Sequence, residues 1–90
     1  MFKPKDIKKI FGTNLRVERA RVHYTQEYLA ELADVSQEYV ARLESEKSNP
    51  SLTVAINLAA ALGVTLDTLV PPELYTNKKW RSLRWIKKKS

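Results

Sequence analysis

The chain has 90 residues, no cysteine and a single histidine, with sixteen Lys and Arg against ten Asp and Glu for a net charge of +6. This is one domain's worth of chain, and it excludes a disulfide framework, a thiolate metal site and a cleft between two lobes. No nucleophile–base pair, phosphate loop or metal-ligand cluster is present, so neither an enzyme nor a cofactor is expected. No apolar run approaches membrane-spanning length and the N-terminus lacks an apolar leader, which predicts a cytoplasmic protein with no membrane partner.

The charge is segregated. Residues 1–24 carry seven bases and two acids, residues 25–73 two bases and eight acids, and residues 74–90 seven bases and no acid. A net positive chain favours a polyanionic partner, but its middle is acidic.

The helical period recurs along the chain. Ile7, Phe11, Leu15 and Val22, with Ile10, Val17 and Ala20 beside them, predict a first helix over about Asp6 to Val22. Thr25 is a good N-cap for a second helix with Leu29, Leu32 and Ala33 inward. Asp34 and Val35 form a tight turn, and Ser36 caps a third helix with Val40 and Leu43 inward. "SEKSNP" is a loop, because a residue before proline is biased away from helix. Ser51 caps a fourth helix with Leu52, Ala55, Ile56, Ala59 and Leu62 on one face, and Gly63 suits a left-handed stop. Thr65 opens a short fifth helix to about Leu69, and Pro71-Pro72 closes the domain. The expected organisation is an all-α, five-helix domain over residues 1–72 and a basic, tryptophan-containing C-terminal tail over 73–90.

The second and third helices have the pattern of a helix-turn-helix. Leu29, Ala33, Val35, Val40 and Leu43 fill the angle between the helices, and the small Ala30 lets them approach. On "FGTNLRVER", "TQEYLAELADVSQEYVARLE", "NPSL" and "LAAALGV", in that order and spacing, residues 11–70 resemble the Cro/repressor-type (XRE-like) helix-turn-helix family, whose fold is lambda-repressor-like. The resemblance implies sequence-specific binding of double-stranded DNA by a two-fold homodimer, with the third helix in the major groove. Carried over by position, Thr25 and Gln26 would hold phosphate at the start of the second helix, where N–H groups favour anions. Ser36, Gln37, Glu38 and Arg42 would face the bases: Gln can pair with adenine, Arg with guanine, and Glu can accept from cytosine. Tyr39 either touches DNA or packs over the domain edge. Lys47, Ser48 and Asn49 would lie along the sugar–phosphate backbone.

Each assignment has a plainer competitor. Gln26 and Gln37 suit any helix's first turn, Arg42 could pair with Glu38 or Glu46, and Glu38 could serve only the helix dipole. The resemblance further implies an internal ion pair between Arg19 and Glu44. It also sets His23, Asp34 and Glu46 where the family favours glycine, so left-handed backbone is expected at three non-glycine residues. Glu27, Glu31, Asp34, Asp67 and Glu73 are expected on a solvated outer face.

Lys3, Lys5, Lys8, Lys9, Arg16 and Arg21 line the first helix and its lead-in, and some should lie beside phosphate. The tail "KKWRSLRWIKKKS" falls outside the family pattern. It has three readings: a basic arm on DNA, a segment packing across a dimer partner, or a contact for a membrane surface or a protein partner. The functional expectation is a DNA-binding transcriptional regulator, a repressor dimer on a palindromic operator. An antitoxin or restriction–modification controller of the same fold, and a protein-interaction module that has lost DNA binding, are the alternatives.

Overall fold

The computed structural model describes residues 4–72, with side chains described from residue 6. Among them are five helices and no strand: α1 (Pro4–Arg21), α2 (Gln26–Ala33), α3 (Gln37–Glu44), α4 (Leu52–Leu62) and α5 (Leu66–Leu69). This is the all-α class expected, and α1 starts two residues earlier and ends one earlier than its apolar period implies. Lys3, Glu73 and the tail readings fall outside the described residues.

Hydroxyl side chains start three of the helices. Thr25 Oγ1 accepts the Tyr28 N–H at 3.0 Å, Ser36 Oγ the Tyr39 N–H at 3.1 Å, and Ser51 Oγ the Val54 N–H at 3.1 Å. Each satisfies one of the N–H groups that a helix start leaves without an internal acceptor. Thr65 makes no such bond ahead of α5.

Four helices stop with one device, a left-handed residue flanked by two reversed hydrogen bonds. After α1, His23 N–H bonds Ala20 O and Tyr24 N–H bonds Arg19 O. Asp34 and Val35 repeat this on Glu31 and Ala30, Glu46 and Lys47 on Leu43 and Arg42, and Gly63 and Val64 on Ala60 and Ala59. The φ angles are +61° at His23, +58° at Asp34, +65° at Glu46 and +71° at Gly63. Only the last position carries the residue that adopts this conformation without Cβ strain.

The core is built on Phe11, Leu15, Leu29, Val40, Leu43, Leu58 and Leu69, all fully buried. α1 packs against α3 and α5, α2 against α3 and α4, and α4 against α5. Gly12 sets the α1–α3 spacing: a Cβ there would lie 2.3 Å from the Leu43 carbonyl oxygen. Asn14 Nδ2 donates to Leu69 O at 2.8 Å and pins the short α5 to α1.

Several expected inward positions are not buried. Leu32, Leu52 and Ile56 are 46%, 68% and 49% exposed, and Val17 and Ala20 are exposed on α1. The buried face of α4 is Ala55, Leu58, Ala59 and Leu62. Its sequence, LTVAINLAAAL, is apolar nearly all round, so the period alone does not select which stripe meets α2 and α5. In α2 the stripe is Leu29, Ala30 and Ala33, which turns Leu32 to the rim.

Candidate nucleic-acid interface

The site is organised by a buried carboxylate. Glu44, the last residue of α3, is 4% exposed, where an unpaired charge would be strongly disfavoured. It is fully engaged. Arg19 Nε donates to its Oε2 at 2.6 Å, Arg19 Nη2 to its Oε1 at 2.9 Å, and Gln26 Nε2 to the same Oε1 at 3.1 Å. Arg19 Nη1 donates to Tyr24 O at 2.8 Å. One network therefore joins α1, the turn after it, the first residue of α2 and the end of α3. The hydrogen bond from Arg19 to Glu44 raises the guanidinium pKa, against the lowering effect of burial, and the carboxylate's charge raises it further.

Gln26 is consequently not a freely swinging side chain. It is half-buried, with one amide N–H committed to Glu44, so a phosphate contact would use what remains of the amide and the backbone at the start of α2. Thr25 is exposed at the same helix start, its hydroxyl occupied as a cap.

α3 turns Val40, Leu43 and Glu44 inward. At about 100° per residue, Gln37, Glu38, Ala41, Arg42 and Ser45 then share the opposite arc. Gln37, Glu38, Arg42 and Ser45 are exposed. Ser36, also exposed, caps the helix start at the edge of this arc. Sequence reasoning does not single out Ala41 and Ser45, although the helical wheel that buries Val40 and Leu43 places both outward.

Tyr39 lies half-buried against the core, and the Arg42 guanidinium sits 5.6 Å from its ring centroid. The ring is a shelf for the cation, an attraction of roughly 0.5–1 kcal/mol at an exposed site. Arg42 takes this position instead of an ion pair with Glu38 or Glu46. The loop after α3 leaves Lys47 and Asn49 exposed and Ser48 partly covered. On α1, Lys9, Arg16 and Arg21 are exposed, Lys8 is half-exposed, and Arg21 Nε holds Glu18 Oε1 at 2.8 Å. The side chain of Lys5 is outside those described.

Residues 15–69 match HTH_3, a helix-turn-helix family. The chain belongs to this family. Its members are XRE-type DNA-binding transcription regulators, and the chain is a regulator of this type. It is 36% identical over 67 residues to an uncharacterized HTH-type transcriptional regulator, y4dJ, of Sinorhizobium fredii, covering 74% of this chain and 87% of that protein. It is also 36% identical over 62 residues to the immunity repressor protein of Bacillus phage phi105, covering 69% of this chain and 43% of the repressor. The restriction–modification controller protein C.AhdI from Aeromonas hydrophila has a similar structure, with a TM-score of 0.67 and 34% identity over 69% of this chain and 94% of the controller. Among the described residues of this HTH_3 chain, no helix is long and apolar enough to cross a membrane.

Proposed function

We propose that this chain represses transcription as a homodimer, each subunit laying α3 in the major groove of a palindromic or near-palindromic operator. The observation that carries the reading is the outward arc of α3, held to the start of α2 by the Glu44 network. That tie gives the groups reading bases and the groups meeting phosphate one fixed geometry. Gln37 and Arg42 present bidentate edges suited to adenine and guanine, and Glu38 an acceptor for the cytosine amino group. Thr25, Gln26, Lys47, Ser48 and Asn49 are the backbone-facing set, with Ser36 at the groove edge and Tyr39 beneath Arg42. Two subunits would set their α3 helices about 34 Å apart, one helical turn of DNA.

Selection of bound duplexes from a random pool tests this. A two-fold symmetric site with half-site centres about 10 base pairs apart is the expected result. Recovery of no preferred sequence at low salt would overturn it.

The similarity to C.AhdI, which extends over nearly all of that controller, favours a narrower second role, control of a restriction–modification operon. The selected site would then lie ahead of restriction and modification genes, and its absence there would remove this role while leaving the repressor intact.

A further inference from the structure

A groove of about 640 Å³ opens between α2 and α4, lined by Tyr24, Tyr28, Leu32 and Asp34 on one side and Ala60 and Ala61 on the other. It is separate from the outward arc of α3. On one wall the Tyr24 and Tyr28 rings meet edge to face, with centroids 4.8 Å apart and planes at 84°. Tyr28 and Leu32 are about half exposed, and Ile56, one turn before Ala60, extends the apolar strip. Among the lining residues Asp34 carries the only charge, and Asn57 adds a polar side chain.

The C-terminal segment has the opposite character. Residues 74–90 hold seven bases and no acid, interleaved with Trp80, Leu83, Trp85 and Ile86. The groove offers two aromatic rings, Leu32 and one carboxylate, and the segment offers apolar and aromatic side chains with positive charge between them. The reach is sufficient. α5 packs on α4, and the seven residues 73–79 that lead to Trp80 can span up to about 25 Å, more than the length of roughly 17 Å of the eleven-residue α4.

We propose that the α2–α4 groove is the docking site of the chain's own segment 76–90, with a tryptophan seated against Tyr28 and Leu32 and a base facing Asp34. A covalently attached partner is present at an effective concentration on the order of millimolar, which favours it over a second copy at ordinary working concentrations. Docking places the basic segment on the acidic middle of the chain, so DNA and the groove compete for the same cationic side chains.

Both tryptophans of the chain lie in this segment, so tryptophan emission, excited on the long-wavelength side of tyrosine absorption, reports on it alone. The test is emission and acrylamide quenching of the full chain without DNA, for wild type, Leu32→Glu, Ala60→Glu and Asp34→Lys. Circular dichroism melts of each establish that the domain is folded. The expected result is a blue-shifted, protected emission in wild type that moves to the red in all three variants. The docked-to-free ratio should fall roughly tenfold when a charge enters the apolar contact. Wild-type emission matching that of the urea-unfolded chain would overturn the proposal. So would protection unchanged in folded variants, or protection that grows with protein concentration, the mark of a second copy. Asp34 is exposed, so the test stands even where Leu32→Glu or Ala60→Glu fails to fold.

Discussion

Arg19 grips Glu44 at two points, Nε on Oε2 and Nη2 on Oε1, and so ties the first helix to the last residue of the third. Glu44, 4% exposed, could not be buried this deeply alone. Removing one partner strands the other, so Arg19→Ala or Glu44→Ala is expected to cost about 3–5 kcal/mol. Thermal melts measure it, and an unchanged Tm in either variant would contradict the role. The linkage sign is simple: because Arg19 is raised in the fold, its contribution is complete below its unfolded pKa and is lost only as pH climbs through the folded value. That window lies above working buffers, so this guanidinium should confer no pH dependence on stability in the neutral range.

The second expectation concerns close approach. Gly12→Ala would improve intrinsic helix propensity by nearly 1 kcal/mol. The new methyl, however, would lie 2.3 Å from the backbone oxygen of Leu43, which cannot swing aside as a flexible side chain could. Overpacking of this kind costs about 1–3 kcal/mol, so net destabilisation is expected. Urea denaturation measures the balance, and a gain in stability would show that α1 and α3 separate easily.

The left-handed stops give the third. His23→Gly removes Cβ strain at an exposed position and should stabilise by roughly 1 kcal/mol. Glu46→Gly should gain less, because the Glu46 side chain lies against Gly12. Asp34→Gly should also gain less, since Asp tolerates this conformation better. A clear fall in Tm for His23→Gly would contradict the strain.

Much of this architecture was legible from residue types. Thr25, Ser36 and Ser51 announced helix starts through their hydroxyls, and Leu29, Val40 and Leu43 announced buried faces through their spacing. The faces of α4 were not legible, because Ala and Leu occur on every side of it and the choice of Leu58 over Ile56 is made by α2 and α5. The Arg19–Glu44 pair came from family resemblance, since two charges twenty-five residues apart leave no local signal. Gln26's bond to Glu44 escaped for the same reason. The shelf that Tyr39 offers Arg42 is an i, i+3 contact on one helix, and an amphipathic ring suits both packing and DNA contact, of which the fold shows the packing.

The fourth expectation separates phosphate contacts from base contacts. Lys47→Ala should weaken binding to all DNA sequences alike and reduce the steepness of the salt dependence by about one charge. Titrations across a range of salt concentrations read this slope. An unchanged slope would remove Lys47 from the backbone-facing set.

Residues 36–47 hold three acids, and position takes two of them off the outward face of α3. Glu44 is buried in the network and Glu46 ends the helix, which leaves Glu38 as the one acid on the outward arc of α3. Whether α3 reads bases is tested most directly with Arg42. Dissociation constants of wild type and Arg42→Ala should be measured for a selected operator and for every single-base variant of its half-site. The variant is expected to lose about 1–3 kcal/mol of discrimination at one base pair per half-site and to keep it elsewhere. Equal weakening at every position, with the wild-type preferences intact, would contradict base reading by Arg42 and reduce it to a phosphate contact.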